Sequence, residues 1–296
     1  MINKIFFLFF LSFPIIGRPS DGLDNIQSLL LKAQGLNGGD KIAFISSYFI
    51  GANSRLGPLG EGDLDVFDRD PLYSFSDFDC TTYVEIVMGL SLSNNFEDFF
   101  SNLLNIRYEN GIVDFKHRNH FISLDWIPNN TAKGFLRDLT NQIGPSQLAL
   151  AYIDKKNWFK KLDLSSIRGR EDLSDKEKII LLNRLRSLGE EFSPTLAKIP
   201  FIEITSILKN PEILNSIQNG SIISIVKPNL DLTSTIGTHL NVTHQGLAIW
   251  KEGLLTYRHA SLEFGKVMDT PLLQYLGKYT LDGRKVGINI QEILIR

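Results

Sequence analysis

The chain has 296 residues, with 31 Lys and Arg against 33 Asp and Glu and a formal net charge of -2. The two signs are interspersed, so there is no basic footprint for nucleic acid, and a neutral or modest-sized sugar–peptide partner fits better than a polyanion. A hydrophobic content of 43% supports one large domain or two small ones.

Met1-Ile2-Asn3-Lys4 followed by the apolar run Ile5 to Ile16 is too short to span a bilayer. It reads as a secretory signal peptide over residues 1–19, with an uncleaved N-terminal anchor as the alternative. No membrane span follows it, so the expected location is secreted or periplasmic, with residues 20–296 as a single domain. Residues 23–35 and 40–52 carry apolar side chains at helical spacing. The stretch from Asn53 to Asp77 is rich in Gly, Asp and Pro without periodicity, which makes it a long loop leading to Cys80. A helix is expected from Cys80, and a second from Asn94 through Asn105. Tyr108 to Val113 reads as a turn into a short strand, and residues 146–152 as a further strand. Residues 155–218 are expected to be a mostly helical insertion, with Asp175 to Leu188 as a solvent-facing helix. From Ser221 onward come short β-type runs at 222–226, 244–249, 254–259 and 286–290. Helices first and strands last predict an α+β fold with an antiparallel sheet.

Cys80 is the chain's single cysteine. An exported chain with one cysteine has no internal disulfide, so this thiol is either inert and buried or reactive. Asp79 and Thr81 are helix-capping types, which places the sulfur in the first turn of a helix, where free N–H groups and the positive dipole end stabilise a thiolate. A nucleophile needs a base, and the five histidines are His117, His120, His239, His244 and His259. His244 opens a strand that turns at Lys251-Glu252-Gly253 and returns through His259. Two antiparallel strands so joined bring His244 near His259, with Tyr257, His259 and Ser261 on one face and Arg258 on the other. Thiol, imidazole and a second polar group that orients the imidazole are the parts of a generalised triad.

These residues resemble a known group. Asp79-Cys80-Thr81-Thr82-Tyr83-Val84-Glu85 is similar to the Asp-Cys-Ser/Thr-x-aromatic-Val segment of the NlpC-type papain-like cell-wall hydrolases. His244-Gln245-Gly246-Leu247-Ala248-Ile249 and His259-Ala260 are similar to their His-Val-Gly-Ile hairpin and its His-Ala end. Leu59-Gly60-Glu61-Gly62, Asp70-Pro71-Leu72-Tyr73, Arg118-Asn119-His120-Phe121 with Trp126, and Arg258-His259-Ala260-Ser261 add a resemblance to the N-acetylmuramoyl-L-alanine amidase-like family. It runs from about residue 40 to the C-terminus, thinning across 155–218. The resemblance implies a papain-like fold with the catalytic cysteine at a helix start packed on an antiparallel sheet. It implies hydrolysis of the muramoyl–alanine amide in peptidoglycan fragments, anhydro-sugar ends included, with Cys80 as nucleophile, His244 as base and His259 as orienter. One departure is visible: many relatives carry a Pro-Tyr whose tyrosine sits beside the cysteine, and here Asn53-Ser54 stands at that place.

The remaining candidates have two readings each. Arg118, Asn119 and His120 form either a substrate-binding cluster, with the Arg118 fork on a carboxylate or lactyl oxygen, or a loop held by its own hydrogen bonds. Trp126 is either a sugar-stacking face or a core residue. His117-x-x-His120 has half the donors of a zinc site and nothing to complete it, so no metal and no cofactor is expected. Two functional alternatives remain: a D-glutamyl–diamino acid endopeptidase, and a non-catalytic protein that binds peptidoglycan fragments.

Overall fold

A computed structural model describes residues 23–283 and 285–295. The segment read as a signal peptide lies outside the described residues. Among them, no helix is long and apolar enough to cross a membrane.

Four helices open the fold: α1 (Leu23–Ala33), α2 (Gly38–Ser47), α3 (Cys80–Ser91) and α4 (Phe96–Arg107). In α1, Ile26, Leu29, Leu30 and Ala33 recur at helical spacing and all are buried. Helix α3 is buried from Thr82 to Ser91, so it is the central helix rather than a surface one. Asn95 caps α4 by accepting from the Asp98 N–H at 2.8 Å. Between α2 and α3 lie only two short strands, β1 (Asn53–Ser54) and β2 (Asp77–Phe78), with irregular chain joining them.

Past α4 come α5 (Ile127–Ala132), β3 (Leu136–Asp138), α6 (Thr140–Ile143), β4 (Gln147–Ile153), α7 (Lys155–Lys161) and α8 (Asp175–Leu188). They are followed by β5 (Thr195–Glu203), α9 (Ile204–Lys209), β6 (Ile222–Leu232), α10 (Thr233–Ile236), β7 (Thr238–Lys251) and β8 (Leu254–Ser261). The described chain closes with β9 (Lys266–Pro271), α11 (Leu272–Gly277) and β10 (Gly287–Ile293). The strands form one ten-stranded sheet in the order β2-β1-β9-β8-β7-β6-β10-β5-β4, with β3 paired to β10. All its pairings are antiparallel except β1 with β2. The fold is therefore α+β with a mostly antiparallel sheet.

Two apolar layers flank that sheet. On one face α1 to α4 bury Ile26, Ile45, Val87 and Leu103 against Leu247, Ile249, Ala260 and Val267. On the other, α9 and α11 bury Ile207, Leu272 and Leu276 against Ile223, Ala248, Tyr257 and Ile288. A third cluster joins Ala149, Ile199 and Phe201 to Val226 and Val242, so β4 and β5 fold back over β6 and β7.

Two sequence expectations need adjustment here. Residues 155–218 are mostly helical, through α7, α8, α9 and short 3-10 turns, but β5 also runs through them as an integral strand between β10 and β4. Its Ala197, Ile199 and Phe201 alternate inward, and Pro200 in the middle of the run hides this period in the sequence. The short strand expected near residue 112 is absent: Glu109–Gly111 forms a 3-10 turn, with Asn110 at φ 54°.

Candidate functional site

The site is built where α3 begins. Asp79 is the N-cap, its carboxylate accepting from the Thr81 N–H at 3.0 Å and the Thr82 N–H at 2.8 Å. Thr82 Oγ1 in return accepts from the Asp79 N–H at 2.9 Å, completing a reciprocal capping box. The Tyr83 N–H bonds back to the Asp79 carbonyl at 3.0 Å. These bonds consume the first-turn donors of Thr81, Thr82 and Tyr83 and leave the Cys80 N–H as the first-turn donor outside the capping set.

The thiol is partly buried, with Thr81 Oγ1 at 3.9 Å from its sulfur. Burial pushes Cys80 up to about 11, and the Asp79 charge adds to that rise. The Gln245 backbone N–H, the Thr81 hydroxyl and the Thr81 N–H act in the opposite direction. A depressed thiol pKa, expected from the helix dipole, is therefore not what this environment produces. The dipole's positive end is already occupied by the Asp79 carboxylate.

Across from the sulfur stands the β7–β8 hairpin. Its turn residues Glu252 and Gly253 have φ values of 48° and 79°, and Lys251 pairs with Leu254, as in a two-residue type I′ turn. On the β6 side, the register passes from Ile225 with His244 to Val226 with Val242, so Thr243 bulges immediately before His244. His244 Nε2 lies 2.8 Å from His259 Nδ1, with the rings at 88°. Gly246 is what lets them meet. A Cβ there would stand 2.7 Å from Tyr257 Cε2 and 2.8 Å from both His259 Cβ and the Arg258 carbonyl.

Both imidazoles are held neutral. Burial, then the charge of His259, lowers His244 to about 3, while burial and Lys278 lower His259 to about 4. Only one pair of tautomers leaves His244 as a base. With the His244 Nε2–H donating to His259 Nδ1, the lone pair of His244 Nδ1 is open to accept a proton. Tyr257 and Tyr275 wall the pair, Tyr257 stacking on His259 at 4.9 Å and Tyr275 lying 5.0 Å from His259 and 6.1 Å from His244. The Cys80 charge is felt by both tyrosines, which places them on the same site. Sequence reading found Tyr257 by strand alternation but not Tyr275, whose short helix carries no motif.

Cys80 thus meets Gln245, the residue after His244, and no hydrogen bond joins its sulfur to either imidazole. Catalytic hydrogen bonds are often long without substrate and tighten in the complex. On the reverse face of β8, Arg258 pairs with Asp269 through Nε at 2.7 Å and Nη2 at 3.0 Å. Its Nη1 reaches the Ala43 carbonyl at 3.0 Å and Ser46 Oγ at 2.8 Å, fixing α2 to the hairpin.

The expected substrate cluster is different. Trp126 is fully buried and donates its indole N–H to Glu85 Oε1 at 3.0 Å, so it has no face for a sugar. Arg118 is taken up by Glu61 and Asp68. Asn119 Nδ2 donates to the Ile106 carbonyl at 2.9 Å, and its oxygen accepts from Asn129 Nδ2 at 2.7 Å. His120 Nε2 meets the Phe115 carbonyl at 2.7 Å, between the rings of Phe115 and Trp158. Trp126 and Asn119 are buried, whereas Arg118 and His120 are partly buried and held by partners within the fold. His117 pairs with Asp114 at 2.8 Å, so the two histidines of His117-x-x-His120 face different partners.

With this geometry in hand, the chain can be set beside known proteins. The model of the AmiA-like, N-acetylmuramoyl-L-alanine amidase-like family matches residues 44–283. The chain belongs to that family. A solved protein from Legionella pneumophila str. Philadelphia 1, described by the family model DUF1460, is 36% identical. Its likeness covers 92% of this chain and 94% of that one, with a TM-score of 0.88. An N-acetylmuramoyl-L-alanine amidase from Bacteroides uniformis ATCC 8492 is 23% identical over 86% of this chain and 98% of that one. Its TM-score of 0.64 speaks for a shared fold. No curated protein matches the chain. The amidase-like family's match takes in α3, the β7–β8 hairpin and α11, which together carry Cys80, His244, Tyr257, His259 and Tyr275.

Proposed function

We propose that this member of the amidase-like family is an exported cysteine amidase of the NlpC-type papain-like class. It hydrolyses the N-acetylmuramoyl–L-alanine amide of peptidoglycan fragments. The observation that carries the reading is the 2.8 Å bond between His244 Nε2 and His259 Nδ1, on a strand whose next N–H meets the Cys80 sulfur. Three side chains of these types, from two distant parts of the chain, have no structural need to converge.

The chemistry starts from a neutral thiol and a neutral imidazole. As Cys80 Sγ attacks the lactyl carbonyl of the muramoyl group, His244 Nδ1 takes the thiol proton and His259 stabilises the imidazolium that forms. The Cys80 N–H donates to the developing oxyanion. His244 then returns the proton to the alanine nitrogen, the C–N bond breaks, and the stem peptide leaves with a free amine. Water attacks the muramoyl thioester, giving its proton to His244 as the carbon–sulfur bond breaks. The thiolate recovers that proton, and the muramoyl carboxylate departs.

Mass analysis of the products from a defined muropeptide tests this. An intact stem peptide and a bare aminosugar are expected. A dipeptidyl-muramic acid with a diamino-acid fragment would make the protein an endopeptidase instead, and binding without turnover would make it a non-catalytic receptor for fragments.

A further inference from the structure

An open cleft of about 930 Å³ lies beside the loop that leads into α3. One wall is aromatic, with Tyr73 packed against Phe96 at 5.8 Å and Phe100 at 6.1 Å. Its charged groups are Arg55, Asp63 and Asp77, Arg55 Nε donating to Asp77 Oδ1 at 3.2 Å. The cleft is of ligand-site size, and its few polar groups on an apolar lining are the ordinary make-up of such sites. Asp77 precedes Cys80 by three residues, so the cleft opens within about 11 Å of the nucleophile along the chain.

The opposite wall is the loop before Tyr73, and it is locked in place. Arg168 donates to the carbonyls of Gly57 and Leu59 and pairs with Asp68 at 2.5 Å and Asp70 at 2.9 Å. Arg170 adds a bond to the Val66 carbonyl at 2.6 Å. The segment between α7 and α8 thus clamps a loop about a hundred residues away, which fixes the cleft's shape before any ligand arrives.

We propose that this cleft binds a neutral saccharide, the glycan arm of the substrate, while the scissile amide lies at Cys80. The identity of the occupant as a substrate arm rests on the proposed amidase reading. The charge decides between the two arms of a muropeptide. Two carboxylates and one guanidinium give the cleft a net charge of about -1, which repels an acidic stem peptide. A pyranose ring presents an apolar C–H face to aromatic rings, and its hydroxyls suit an Arg–Asp pair at the rim.

The test uses the Cys80→Ala protein and a tetramer of β-1,4-linked N-acetylglucosamine, titrated by calorimetry. Saturable binding is expected, weakened at least tenfold by Phe100→Ala and by Arg55→Ala. Arg55 is exposed, so its removal leaves the fold intact and separates lost binding from lost structure. Absent saccharide binding, or binding unchanged in both variants, overturns the proposal. So does an isolated stem peptide whose binding falls in the same two variants. In otherwise wild-type protein, Phe100→Ala should raise KM for a disaccharide-bearing muropeptide tenfold with kcat unchanged. Saccharide binding by a wild-type protein that hydrolyses no muropeptide would support the cleft and refute the amidase reading.

Discussion

The carboxylate of Asp79 caps the helix that presents Cys80 and, by its charge, opposes ionisation of that same thiol. Positioning and activation are therefore supplied by different residues. The cap holds the sulfur at the helix start, and in the proposed mechanism the proton leaves only as an imidazole takes it during attack.

Replacing Asp79 by Asn keeps a good cap and removes the charge. The Asp79→Asn protein should react faster with iodoacetamide at pH 7–8, its alkylation midpoint falling below that of the wild type because the Asp79 charge raises the thiol pKa. The thermal midpoint should move by only a few degrees. An unchanged midpoint of alkylation would show that the Asp79 charge does not reach the sulfur.

Cys80→Ala should abolish hydrolysis while leaving the protein folded. The cap belongs to Asp79 and Thr82, and Ala is a good helix former at the vacated position. Retained turnover would end the cysteine mechanism.

The two histidines should not be equivalent. Loss of the base costs about 10²–10⁴ in rate, whereas loss of the orienter leaves a misaligned base with residual function. His244→Ala is therefore expected to lower kcat/KM more than His259→Ala, and the reverse order would exchange the assigned roles.

Both imidazoles titrate well below the ordinary range, His244 at about 3 and His259 at about 4. The base is neutral and competent above those values, so kcat/KM should stay flat from pH 8 to about 5 and fall only near pH 4 and below. An acid limb centred near 6.5 would contradict the buried pair. The linked stability has a definite sign. The unfolded chain protonates these groups near pH 6.5 and the fold does not, so their contribution is full above 6.5 and lost as pH falls toward 3–4. Urea midpoints measured across that window should decline less steeply in a His244→Gln, His259→Gln double variant.

Gly246→Ala should damage the site without touching a reacting group. The added Cβ meets His259 Cβ and a backbone carbonyl at 2.8 Å, neither of which can swing away. An overpacked site of this kind costs about 1–3 kcal/mol. A drop in kcat of tenfold or more, with a modest loss in urea stability, is expected. Wild-type kinetics would mean that the strands can part without cost.

Much of the α+β architecture and of the histidine pair was legible in the sequence, because the signals were local. Apolar periodicity marked α1, α2 and α8, and strand alternation placed Tyr257 and His259 on one face. What the sequence left out was long-range. Arg118 and Asn119 look like a polar patch until Glu61, Asp68 and Asn129 are brought to them. Trp126 finds its partner in Glu85, 41 residues earlier. The strand character of β5 was masked by Pro200, and no local pattern brings Tyr275 to the histidines. The thiol's raised pKa depends on burial, which a helix-dipole argument from sequence leaves out.

The place of β10 in the sheet sets the order in which the molecule can be completed. It lies between β6 and β5, although residues 287–293 follow every other strand in the chain. Until they emerge, β5 and β6 have bare edges toward one another and the sheet has no continuous hydrogen-bonded path between its two halves. A stop codon before residue 287 would leave a split sheet rather than a shortened enzyme.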